Sequence, residues 1–157
     1  MADVSRAAVR GVDLASAEKI IDYALKAARQ KKLRPMTLGV LDAGGDLVAS
    51  KREDGTGICR FDVVMGKAFG SLVMNRPSRA IGQIAERAPA FIQSLTAATQ
   101  GRLIPTPGGV LIKNSQGEII GAVGSSGDDA DEDEAIAIAA VRDAGFIPEP
   151  AEPTGAK

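Results

Sequence analysis

Gly108-Gly109-Val110-Leu111-Ile112-Lys113-Asn114-Ser115-Gln116-Gly117-Glu118-Ile119-Ile120-Gly121-Ala122-Val123-Gly124 reads as a β-hairpin. Two apolar runs rich in β-branched residues flank a polar turn that ends in glycine. The runs are nearly continuously apolar, so both faces of these strands are expected to be covered. Gly109, Gly121 and Gly124 are unusual inside strands, because each costs backbone entropy and offers no side chain to pack. They are explained by bulges and tight packing against another backbone or helix, or by a ligand lying on the sheet.

A second hairpin stands upstream, over residues 36–51, around the turn Asp42-Ala43-Gly44-Gly45. Gly39-Val40-Leu41 precedes Gly45-Asp46-Leu47-Val48-Ala49, as Gly109-Val110-Leu111 precedes Gly117-Glu118-Ile119-Ile120-Gly121. Convergent hairpin chemistry accounts for this echo without duplication, and it implies that the two hairpins share one sheet.

Around the hairpins the chain alternates helical patterns with breakers. Residues 1–12 read as a flexible arm. Asp13 caps a helix to Gln30 that carries Ala17, Ile20, Ile21, Ala24, Leu25 and Ala28 as an apolar stripe. Tyr23, the lone tyrosine, reads as a packing residue. After the polar loop 52–57, the spacing predicts a helix over 61–74. Its Gly66 and Gly70 each cost about 1 kcal/mol in a helix interior and admit another helix at close range, which points to a subunit contact. Lys67 lies on this otherwise small and apolar helix. It is either a snorkelling surface lysine or a buried cation awaiting an anionic ligand. Ser78 is placed to cap a helix over 79–88, and Pro89 starts another that Gly101 stops. Two prolines keep residues 103–107 extended.

Residues 128–134 hold six acids in seven positions and open a last helix, 131–144, where they favour the macrodipole. Their spacing misses the calcium-loop pattern, and no metal site is expected. The tail 148–157, with three prolines, is expected to be disordered.

Composition narrows the function. The 157 residues suffice for one domain with a real core. Aromatics are only 3% and Trp is absent, so that core is built from small aliphatic side chains. With 19 Lys and Arg against 20 Asp and Glu, the net charge of −1 leaves no basic stripe, which argues against nucleic acid. No apolar run reaches membrane-spanning length, no signal peptide is read at the N-terminus, and the single Cys fits a reducing compartment. A cytoplasmic location follows as the expectation. There is no His at all, which removes Ser-His-Asp and Cys-His catalysis and a proximal-His haem site.

Taken in order, Leu41-Asp42-Ala43-Gly44-Gly45, Arg52-Glu53-Asp54-Gly55, Lys67-Ala68, Ser78-Arg79, Pro105-Thr106-Pro107-Gly108-Gly109, Gly121-Ala122-Val123-Gly124-Ser125-Ser126-Gly127 and Asp133-Glu134-Ala135 resemble the GlcG/HbpS family, which includes the C-terminal domain of PduO-type proteins. The resemblance covers residues 13–147 as a single domain. It implies a profilin-like α+β fold, an antiparallel sheet of about five strands flanked by helices, and assembly into homo-oligomers. Some relatives bind haem, and the PduO domain is linked to haem and corrinoids, so haem or another tetrapyrrole is an implied ligand. With no histidine here, Tyr23, Cys59, Met65, Met74 and Lys67 are the available substitutes for an axial ligand. Arg60, Lys67 and Arg79 are the candidates for pairing with propionates.

Three functions are compatible with these residues. One is a tetrapyrrole- or small-anion-binding oligomer. The second is a cofactor-independent enzyme, of isomerase, hydratase or decarboxylase type, acting on a small carboxylate in a catabolic pathway. There Lys67, Arg79 and Arg60 or Arg76 would hold carboxylates, and Asp42, Asp54 or Lys67 would move protons. The third is a structural or partner-binding oligomer. In the first two the site is expected where the Lys67 helix meets Gly108 and Gly109, whose bare backbone lets a ligand reach N–H groups.

Overall fold

The computed structural model describes residues 11–155, and in it the two hairpins join edge to edge. The elements in chain order are α1 (Leu14–Gln30), β1 (Thr37–Asp42), β2 (Leu47–Arg52), α2 (Arg60–Met74), α3 (Ser78–Arg87), α4 (Pro89–Ala98), β3 (Gly109–Lys113), β4 (Ile119–Ser126), α5 (Ala130–Asp143) and β5 (Ile147–Glu149). The sheet order is β2-β1-β4-β3-β5, with every neighbouring pair antiparallel. This is an α+β fold with helices on both faces of a five-stranded sheet.

The near-continuous apolar runs are explained by that double cover. Leu38, Val40, Val110, Ile112 and Val123 bury one face under α1 and α5, against Ile20, Ile21, Ile136 and Val141. Leu41, Leu111 and Ala122 bury the other against Ala68 of α2, with Met65, Phe69 and Leu72 around them. A third cluster, Ile81, Ile92 and Leu103, seats α3 and α4 beside α2.

Glycines make the α2 contact possible. Gly39, Gly124 and Gly109 lie in one row across β1, β4 and β3. A Cβ on Gly124 would sit 2.1 Å from the Val64 carbonyl oxygen, and one on Gly109 would sit 2.4 Å from that of Lys67. The element lying on the bare strands is therefore the α2 backbone.

Several sequence expectations change here. Gly66 and Gly70 do not receive another helix. Their space is taken by Ile104 and Leu103 of the extended segment, and the Ile104 N–H donates to the Gly66 carbonyl at 3.1 Å. Ser78 does not cap α3, whose N-cap is Pro77, because its hydroxyl instead accepts from the Gly109 N–H at 2.7 Å. The tail expected to be disordered from residue 148 contributes to β5, which pairs with β3, and Thr154 reaches back to α5. Of the expected arm 1–12, only Gly11 and Val12 are among the described residues. Val12 is buried and donates its N–H to the Ile120 carbonyl.

Candidate functional site

Most of the charged residues singled out in the sequence converge at one end of the sheet. There the start of α2, the start of α5 and the ends of β3 and β4 meet. Lys67, from the second turn of α2, is 2% exposed. Its Nζ donates to the Ser125 carbonyl at 2.9 Å and to Asp133 Oδ2 at 3.1 Å. Gly108 makes room for it: at φ +120°, a Cβ there would lie 2.8 Å from the ammonium nitrogen. Burial pushes the Lys67 amine below its ordinary value, and the Asp133 carboxylate opposes that shift. Burial likewise pushes Asp133 up, against the pull of Lys67. Asp133 Oδ1 accepts the Asp128 N–H at 3.0 Å, which fixes the turn into α5.

Glu134, next in α5, is wholly buried. Its Oε2 accepts from Arg79 Nη1 at 3.3 Å, from the Thr154 N–H at 2.9 Å and from the Thr154 hydroxyl at 2.8 Å. Among the described residues its Oε1 has no partner, and neither does the buried hydroxyl of Ser125. Arg60, the first residue of α2, donates from Nη1 to Ser126 Oγ at 2.9 Å and raises the local positive potential around Lys67. Of the other acids of 128–134, Asp128 and Asp129 share Arg34, Glu132 pairs with Lys31, and Asp131 is exposed. Among the described residues no three potential metal-ligating side chains converge.

Two hollows open beside this cluster. One, of about 370 Å³, is lined by Gly57, Cys59, Arg60 and Val63. The other, of about 830 Å³, lies between α3 and the C-terminal segment, with Arg76 and Arg79 in its wall.

The structure thus groups Lys67, Arg60, Arg79, Gly108 and Gly109 at one sheet end. It does not bring Asp42 or Asp54 to them. Asp42 Oδ1 accepts the N–H groups of Gly44 and Asp46 in the β1–β2 turn, and Asp54 is exposed in the turn after β2. Gly109 does not present its N–H to a ligand, since Ser78 takes it. The sequence reading missed Asp133, Glu134, Ser125 and Thr154. The run of acids was visible, but nothing in its spacing says that Asp133 and Glu134 turn inward while Asp131 stays exposed.

A family model described as haem degrading protein HbpS-like matches residues 12–142. The chain belongs to the HbpS-like family. Solved structures agree on the fold. The PduOC complex with heme superposes with a TM-score of 0.77 at 20% identity, covering 87% of this chain and 96% of that one. HbpS gives 0.74 at 23%, covering 92% and 96%. The Klebsiella pneumoniae protein ORFY gives 0.76 at 22%, covering 90% and 95%. No curated protein matches the chain in sequence. Among the described residues of this HbpS-like chain, no helix is long and apolar enough to cross a membrane.

Proposed function

We propose that this HbpS-like protein is a small-ligand-binding protein that takes haem or a related tetrapyrrole at the start of α2, without a histidine ligand. The observation that carries this reading is the exposure of Ile58, at 94%, and of Phe61, at 40%, on either side of the exposed Cys59 thiol and the Arg60 guanidinium. Large apolar side chains left in solvent together, with a polar anchor between them, mark a binding surface.

The residues present fit the group. Of the five substitutes for a histidine ligand, Lys67 is occupied by Asp133 and Ser125. Tyr23, Met65 and Met74 pack against core clusters. Tyr23 also borders a hollow, on the α1 side, but Cys59 is the exposed one, beside the hollow of about 370 Å³ lined by Gly57, Arg60 and Val63. A cysteine sulfur is an established haem ligand. Arg60 uses one nitrogen on Ser126 and keeps the remainder of its fork for a propionate. Bound haem supplies one-electron and oxygen chemistry. The chain's part is to anchor the propionate at Arg60, offer sulfur at Cys59 and cover the ring with Ile58, Phe61 and Val63. Assembly into homo-oligomers, in which a second copy helps enclose this open surface, belongs to the same proposal.

The alternative, a cofactor-independent enzyme on a small carboxylate, needs Lys67 accessible and an acid beside it. Lys67 is sealed, its acid Asp133 is sealed with it, and Asp42 and Asp54 lie elsewhere.

Hemin titration of the full chain tests the proposal. A shifted Soret band is expected at stoichiometric hemin. Cys59→Ser should change the band's position, because the iron loses its sulfur. Arg60→Ala should weaken binding by about ten- to a hundredfold, the worth of one charge-assisted hydrogen bond. Absence of a shift, or a shift that neither variant alters, would overturn it.

A further inference from the structure

The larger hollow is not used by that reading. It is built by α3, by the proline segment before β3 and by the chain after β5, and its volume of about 830 Å³ falls within the range of small-molecule sites. Arg79, Gln83 and Glu86 line it at spacings of four and three residues, so one face of α3 points into it. Arg76 joins them from the turn that ends α2. Among the described residues the Arg76, Gln83 and Glu86 side chains have no hydrogen-bond or ion-pair partner. Arg79 is held from behind: its Nη1 donates to Glu134 and to Thr154, and its other guanidinium nitrogens have no partner among the described residues. Glu134 is thus a positioning residue that fixes the Arg79 fork.

A Cβ on Gly82 would sit 2.7 Å from the Pro105 carbonyl oxygen, so α3 is pressed against the proline segment. Glu149 also lines the hollow, but its charge is matched by Lys113. Arg79 is matched in the same way by Glu134 behind it, so the hollow has a donor-rich end at Arg76, which carries the unmatched charge, and at the outward N–H groups of Arg79, and a neutral-to-acidic end at Gln83 and Glu86. A carboxylate suits the first end. A second carboxylate would meet Glu86, whereas hydroxyl groups would donate to it and exchange hydrogen bonds with Gln83.

We propose that this cavity binds a small polyhydroxy monocarboxylate, with its carboxylate between Arg76 and Arg79 and its hydroxyls toward Gln83 and Glu86. The site is independent of the surface at Ile58 and Cys59.

Isothermal titration of the full chain with gluconate tests this, with xylitol as the neutral polyol and malonate as the dicarboxylate. Saturable heat is expected with gluconate and little with the other two. Arg76→Ala should weaken gluconate at least tenfold while leaving the hemin spectrum unchanged, since Arg76 is exposed and holds nothing else in place. Arg79→Lys, which keeps a cation for Glu134 but loses the fork, should weaken it as well, with the folded circular dichroism spectrum retained. Arg87→Ala, on α3 but outside the cavity, should bind as the parent does. No saturable heat with gluconate overturns the proposal. So does equal binding of xylitol or malonate, or unchanged affinity in Arg76→Ala.

Discussion

Lys67 shows at the scale of one residue how a suggestive sequence feature is absorbed by structure. A cation on an apolar helix invites an external anion, yet the anion is supplied by Asp133, with side chains 3% and 2% exposed. A sealed pair of this kind is weak evidence for stability, because desolvation offsets most of the attraction, but removing one member leaves a bare charge. Lys67→Met is therefore expected to cost about 3–5 kcal/mol in urea denaturation near neutral pH. Lys67→Met combined with Asp133→Leu should recover most of that loss. The pH dependence of the single variant carries a definite sign. Asp133 is already raised above its ordinary value of 3.8 by burial, and the variant removes the lysine that restrains the shift. Its folded form then prefers the protonated acid. The variant should be closest to the parent in acid and lose stability as pH rises through the raised value. A loss below about 1 kcal/mol at neutral pH, with no such trend, is what a solvent-exposed pair would give instead.

At the scale of elements, the C-terminal segment is the part whose role departs most from its sequence. Pro148 removes a ladder donor, and three residues are a short strand, so nothing local announces β5. It forms because it pairs only at the sheet edge, with Ile112 opposite Pro148. Beyond it Thr154 gives two of the three hydrogen bonds that satisfy Glu134 Oε2. A chain ending after Ala151 leaves that buried carboxylate with Arg79 alone, and should be about 1–3 kcal/mol less stable by urea denaturation. Thr154→Val should lose a smaller part, because the backbone N–H remains. Equal stability of the truncated and full chains would show that the segment does not cover Glu134. The hairpins were legible for the opposite reason. Asn114 and Asp42 accept N–H groups within their own turns, so the chemistry that makes each turn lies inside four or five residues. The glycine row across β1, β4 and β3 announced a close neighbour but not which one. Lys67 and Asp133 are 66 residues apart, and Ser78 and Gly109 are 31 apart. No local pattern encodes pairings of that kind.

For the whole molecule, the approach to β1 is tied to the turn that opens α5. Arg34, just ahead of β1, donates to the Asp128 carboxylate from both its backbone N–H and its guanidinium. The Arg34 contacts hold the Asp128 carboxyl well below its ordinary range. Asp13 is lowered too, by the Ser16 side chain and by the Ser16 N–H that it caps at the start of α1. Groups lowered in the folded state contribute stability that is fully present above their ordinary value of 3.8 and is lost as pH falls through the lowered one. Asp133 acts with the opposite sign, since its protonated form is favoured in the fold. Below about pH 4 the two lowered carboxyls therefore subtract stability, while Asp133 adds it. Asp128→Asn is the informative variant. It should melt lower than the parent at neutral pH, decline less steeply in acid, and meet the parent curve at the lowest pH at which both still fold. Parallel curves, with the gap unchanged down to that pH, would mean that Asp128 keeps an ordinary carboxyl and that the tie between β1 and α5 rests on other contacts.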